Sequence, residues 1–98
     1  MNMQALMRQA QNLQNDMLKI QKEIENTKFE GENSIVKVQV NGKKEILSIE
    51  IEKNIELASD DIDMLEDALV VAINNAFKKV DSLKEQKMSK FSNIPGLF

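Results

Sequence analysis

Seven apolar residues near the start of the chain, Met3, Leu6, Ala10, Leu13, Met17, Ile20 and Ile24, are separated by alternating steps of three and four. An α-helix turns once every ~3.6 residues, so this spacing gathers them into one narrow stripe. The spacing predicts a helix over residues 3–25, roughly 35 Å long at ~1.5 Å per residue. A stripe that narrow is the seam of a coiled coil or a helix pair, and it points to assembly or binding rather than catalysis.

Composition narrows the chemistry further. A chain of 98 residues makes one domain, here residues 1–98, near the lower end of sizes that bury a self-sufficient core. Hydrophobic content of 42% and charged content of 30% suit a folded protein. With four Phe, no Trp and no Tyr, the core must be aliphatic, with six Met as adaptable filler. The lack of cysteine excludes disulfides, a thiolate nucleophile and a zinc-thiolate site, and fits a reducing compartment. The lack of histidine removes the commonest general base and metal ligand. No apolar run approaches the ~20 residues of a membrane span. The opening Met1, Asn2, Met3 and Gln4 lack the basic start of a signal peptide, so a cytoplasmic protein is expected.

After the helix the hydrophobic period changes. Val36, Val38 and Val40 alternate with polar residues, as do Leu47, Ile49 and Ile51, which predicts two antiparallel strands. Asn41-Gly42 between them suits the positive φ angles of a tight hairpin. A two-residue loop pairs Val36 with Leu47; a four-residue loop changes the register but keeps both apolar sets on one face. Residues 27–31, around Phe29, supply a candidate third strand before a turn at Gly31-Glu32-Asn33. A second long helix is expected from Ser59-Asp60-Asp61 to about residue 90, its start favoured by a Ser or Asp cap and by acids at the positive end of the helix dipole. Ile62, Leu65, Leu69, Ile73, Ala76, Val80 and Leu83 mark its apolar face, widened by Val70, Ala72 and Phe77. Pro95 and Gly96 then turn residues 92–98 into a flexible tail. The fold class is α+β: a long N-terminal helix, a small antiparallel sheet of two to three strands and a long C-terminal helix. Helices this long overhang so small a sheet, and a two-fold homodimer resolves the exposure.

Charge is unevenly spread over a net −3. Residues 1–42 balance five cations against five anions, residues 43–67 sum to −6, and residues 68–98 to +3. On the first helix, the rows opposite the seam hold Arg8, Asn12, Asn15, Lys19 and Lys22, while Asp16, Glu23 and Glu25 fall in other rows. Such a face suits phosphate contacts by Arg and Lys, with Asn reaching phosphate or base edges. The plainer reading of the residues alone is the solvated outer face that any coiled-coil helix needs. Lys78, Lys79, Lys84, Lys87 and Lys90 late in the second helix form another phosphate-binding candidate, and they also complement the helix dipole. Asp60-Asp61-x-Asp63 lacks the EF-hand spacing and glycine. Gly42-Lys43-Lys44 lacks the flanking residues of a phosphate-binding loop. No metal ligand set, cofactor or catalytic residue is expected.

Together the stretches LMRQAQNLQNDMLKIQKEIE (6–25), IVKVQVNG (35–42) and MLEDALVVAINNAF (64–77), with the tail around Pro95-Gly96, resemble the YbaB/EbfC family of bacterial nucleoid-associated proteins along nearly the whole length. The resemblance implies a small α/β protein that dimerises into a tweezer-like shape with projecting helices. It also implies a cytoplasmic, nucleoid-associated role in DNA binding, chromosome organisation or gene regulation. Arg8, Lys19 and Lys22 lie in the stretch matching the family's first helix, and Lys78 and Lys79 in or just after the second match. Members often carry a glycine-rich loop before the IVKV-type strand; here Gly31 is followed by Glu32-Asn33-Ser34, so a less flexible loop is expected.

The resulting expectation is a homodimer that holds double-stranded DNA mainly through phosphates, with weak sequence preference because Arg8 is the chain's one arginine. DNA-contact candidates are Arg8, Asn12, Asn15, Lys19, Lys22, Lys78, Lys79, Lys84 and Lys87. Leu6, Ala10, Leu13, Met17, Ile20 and Ile24 form the dimer or helix-packing seam. A second reading makes the chain a non-catalytic scaffold whose seam binds a partner protein. Neither reading involves a membrane, a small-molecule substrate or an enzymatic reaction.

Overall fold

Local periodicity is obeyed closely in the computed structural model, which describes residues 2–91; the tail expected over residues 92–98 lies outside the described residues. Helix α1 runs Met3–Glu25, strands β1, β2 and β3 run Lys28–Asn33, Val36–Asn41 and Ile46–Ile51, and helix α2 runs Ile62–Met88. Single 3-10 turns, Ser59–Asp61 and Ser89–Phe91, flank α2. The strands form an antiparallel sheet in the order β1-β2-β3. The protein is elongated, 71 Å by 19 Å by 14 Å.

Helix α1 starts where Asn2 caps it: the Asn2 side chain accepts the Gln4 N–H at 3.0 Å, satisfying one of the free donors of the first turn. Its end is closed by Thr27, whose hydroxyl donates to the Glu23 carbonyl at 2.6 Å. At the start of α2 the cap differs from the expected one. Asp61 reaches back to accept the Ala58 N–H at 2.9 Å, closing the short 3-10 turn, and α2 itself has no side-chain cap.

The sheet departs from the predicted register for a local reason. Among the described residues both positive-φ residues are non-glycine, Ser34 (φ 53°) and Lys44 (φ 60°), and Asn41-Gly42 does not supply them. The β1–β2 turn is therefore Ser34-Ile35, not Gly31-Glu32-Asn33, with Asn33 paired to Val36. The β2–β3 loop is Gly42-Lys43-Lys44, a three-residue loop ending in a left-handed residue. Asn41 organises it: its side-chain oxygen accepts the Lys43 and Glu45 N–H groups at 2.9 and 3.1 Å, and its amide donates to the Glu45 carboxylate at 2.8 Å. A bulge between Gln39 and Val40 adds another residue on β3. Val36 consequently faces Ile51 rather than Leu47, while Val38 faces Ile49 and Val40 faces Ile46.

The core lies between the sheet and α2. Phe29, Val36, Val38 and Val40 meet Ala68, Ala72, Ala76 and Val80, with Leu65, Leu69, Ile73, Phe77 and Leu83 packed around them. The four buried α2 residues recur every four positions, and three of them are alanines, so the helix can approach the sheet closely. Gly31 completes that approach. It is a buried residue inside β1, not part of a loop, and a Cβ there would strike the Ala72 carbonyl and lie 2.7 Å from the Ala76 nitrogen. Ile62, expected on the buried face, is exposed. The helix packs chiefly on β1 and β2, so Ile46 and Ile49 stay open although they share the valine face; Ile49 is 48% exposed.

Gly31→Ala is accordingly expected to destabilise the protein by about 3 kcal/mol, the upper part of the usual range for overpacking a core. Urea unfolding followed by circular dichroism measures it, and an unchanged midpoint would contradict the close seating of α2 on β1.

Candidate nucleic-acid interface

Two features anchor α1 to the rest of the protein, both at its C-terminal end. Ile24 is buried at 3% exposure, whereas Met3 at the other end is 71% exposed. Between them Leu6 and Ala10 are exposed and Leu13, Met17 and Ile20 are half-buried, so the seam is covered progressively toward the body. The second feature is Gly42: a Cβ at this position would overlap the Ile24 carbonyl, so only glycine lets the hairpin turn close on the helix end. Among the described residues the heptad seam is therefore best covered within the chain at its C-terminal end, and α1 projects from there.

Opposite the seam, Arg8, Asn12, Asn15, Lys19 and Lys22 point between about 120° and 180° away from Ile24, at about 100° of rotation per residue. All five are exposed, and their side chains make no hydrogen bond or ion pair among the described residues. Their spread along the helix is wide. Arg8 and Lys22 are separated by roughly 21 Å of axial rise.

The α2 lysines divide into two sets. Lys84 and Lys87 stay within about 40° of the direction of buried Val80, while Lys78 and Lys79 turn about 160° and 100° away from it. All four are exposed. Lys84 shares a cleft of about 370 Å³ with Gln21, Ile24, Glu25, Gly42, Lys43 and Met88. A second depression, lined by Leu18, Lys19, Gln21, Lys22 and Glu25, adjoins it through Gln21 and Glu25. Lys19, Lys22 and Lys84 are thus brought to one end of the body. Arg8, Asn12 and Asn15 lie further out on α1, and Lys78 and Lys79 face a different side.

Lys43 joins this group although the sequence presents it only as a hairpin residue. No spacing announces it, because its position depends on Gly42 meeting Ile24, a contact between residues far apart in the chain. Its neighbour Lys44 is differently employed. The Lys44 ammonium pairs with Asp81 at 2.8 Å and sits 5.9 Å from the Phe77 ring centroid, tying the turn to α2. Among the described residues no cluster of three acidic side chains converges as a metal site, and no helix is long and apolar enough to cross a membrane. The chemistry offered is that of exposed ammonium, guanidinium and amide groups held on a rigid frame, which is the chemistry of phosphate contact.

Known proteins share this chain's sequence pattern and its fold. The YbaB/EbfC DNA-binding family model matches residues 1–94. A nucleoid-associated protein of Ligilactobacillus salivarius is 41% identical over 101 residues, covering 99% of this chain and 95% of the relative. One from Ruminiclostridium cellulolyticum is 38% identical over 104 residues, covering 99% and 89%. Among solved structures, an uncharacterised protein of Helicobacter pylori superimposes with a TM-score of 0.74 at 16% identity, over 93% of this chain and 97% of that one, which establishes a shared fold.

Proposed function

The chain belongs to the YbaB/EbfC DNA-binding family, a family of DNA-binding proteins and not of enzymes, and from that premise we propose that it acts in the nucleoid as a homodimer that grips duplex DNA through its projecting helices. Residues 1–98 act as one DNA-binding domain in the cytoplasm, contributing to chromosome organisation or gene regulation. The nucleoid-associated relatives support that location.

The observation that carries the reading is the outer face of α1. Arg8, Asn12, Asn15, Lys19 and Lys22 stand on a helix that leaves the body, are exposed, and are unpaired among the described residues. A carboxylate-free row of exposed cations leaves these groups available to an external polyanion. Phosphate contact supplies most of the affinity, since each neutralised phosphate releases condensed counterions. Arg8 alone offers the bidentate fork that reads guanine, so sequence preference is weak. Lys78, Lys79, Lys84 and Lys87 extend the contact from α2.

Dimerisation is supported by the apolar surface that one chain leaves open. Ile46, Leu47 and Ile49 on β3, and Ile62, Met64, Val70 and Val71 on α2, are large and exposed. Monomeric proteins seldom leave so much apolar surface uncovered. A second copy laid against β3 would cover Ile46 and Ile49. The distal seam, Met3, Leu6 and Ala10, stays available, which is the observation favouring a protein-binding scaffold as the second reading.

Charge reversal at Arg8, Lys19 and Lys22 together should weaken binding to a labelled ~30 bp duplex by at least tenfold and flatten its salt dependence, with the dimer mass by light scattering unchanged. Unaltered affinity would remove the α1 face as the contact and favour the scaffold. Ile49→Asp should yield the monomer mass; a persisting dimer would move the contact away from β3.

A further inference from the structure

Resting on the DNA-binding reading above, we propose that the cleft where the hairpin turn meets the ends of α1 and α2 is a built seat for a backbone phosphate of duplex DNA, with Lys43 and Lys84 as its ligands. Lys43 is the new element, because it belongs to neither helix.

Three contacts fix the turn that carries it. Gly42 closes on the Ile24 carbonyl, Asn41 accepts the Lys43 and Glu45 N–H groups at 2.9 and 3.1 Å, and Lys44 pairs with Asp81 at 2.8 Å. The backbone of Lys43 is therefore held against both helices at once, and only its side chain is free to choose a partner. Adjacent lysines thus have opposite fates: Lys44 is spent on Asp81, while Lys43 is exposed and makes no ion pair among the described residues. The Glu45 carboxylate, the nearest acid in sequence, is engaged by the Asn41 amide at 2.8 Å.

Charge around the cleft is lopsided. Lys43 and Lys84 line it, Lys19 and Lys22 line the adjoining depression, and Glu25 is the one carboxylate lining either, among the described residues. At the opposite end of the sheet the balance reverses. There a depression is lined by Glu32, Glu50 and Glu52 against Lys37 and Lys53, and Lys37 is already 3.5 Å from Glu32. One end of the same small body is thus suited to a polyanion and the other is not. A phosphate seated between Lys43 and Lys84 would place the duplex against the root of α1, with Lys19 and Lys22 beside it on the following stretch of backbone. Duplex DNA rather than a free phosphate fits this arrangement, because the lysines extend past the cleft along α1 instead of closing round one anion.

The test is the salt dependence of duplex binding by the full-length protein, read by fluorescence anisotropy for wild type, Lys43→Gln, Lys43→Gln/Lys84→Gln and Lys53→Gln. Lys43→Gln should lower the slope of log affinity against log salt by about one per contacting protomer, and the double variant by about two, with Lys53→Gln unchanged. Circular dichroism melts of the variants should superimpose on wild type, because none of these side chains is buried or paired. A wild type that binds steeply while Lys43→Gln keeps its slope would overturn the phosphate seat and leave the DNA-binding reading standing. A wild type that does not bind even at low salt would overturn both. Inorganic phosphate at millimolar concentration should not compete beyond its ionic-strength effect; specific competition would make the cleft a free-anion site and overturn its assignment to the duplex.

Discussion

The architecture depends on how closely α2 lies on β1. Gly31 offers no side chain, and Ala68, Ala72 and Ala76 offer small ones, so helix backbone and strand backbone come together with Val80 closing the line. An approach that close concentrates the helix over β1 and β2; on β3 it leaves Ile46 and Ile49 open while Ile51 still packs on the core. The valines of β2 are sealed, while Ile46 and Ile49 on the same face are not. One packing decision therefore makes both the core and the open apolar surface that a second copy is proposed to cover. A larger residue at position 31 would lift the helix and disturb both.

A second glycine sets the direction of α1. Gly42 meets the Ile24 carbonyl, and Lys44 bridges the same turn to Asp81 on α2, so the hairpin acts as a wedge between the two helices. The long N-terminal helix is gripped at one end and projects from there, its seam uncovering toward Met3 and its cations outward. Function on this view comes from a rigid root and an exposed arm. The lysines near the root gain a fixed geometry, while Arg8 and the two asparagines gain reach.

Features set by neighbours in sequence were legible in advance. The bounds of α1, residues 3–25, follow from an uninterrupted heptad, and the exposure of Arg8, Asn12, Asn15, Lys19 and Lys22 follows from their rotation away from Ile24. The strands were legible from alternation, and the shared face of the valines with Ile49 and Ile51 holds because beyond the bulge the register differs from the expected one by an even number of residues. Before it the shift is odd, so Ile46 and not Leu47 shares the valine face. The register itself was hidden. It depends on Lys44 adopting a left-handed conformation and on a bulge beside Val40, neither of which has a strong residue signature. Gly31 reads as a turn because nothing local reveals a helix pressing on it, and Ala68 carries little hydrophobic signal of its own beside Leu65 and Leu69. Lys43 was missed for the same reason: its surroundings are assembled from three distant segments.

The most direct measurement is an amide NMR titration of the protein with a short DNA duplex at low salt. The shifts should concentrate on α1 from Arg8 to Lys22, on the turn Gly42-Lys43-Lys44, and on α2 from Lys78 to Lys87, with β3 and the first turns of α2 unmoved. Shifts centred on β3 and the N-terminal half of α2, with α1 silent, would contradict the assignment of α1 and the hairpin cleft as the DNA-facing surface.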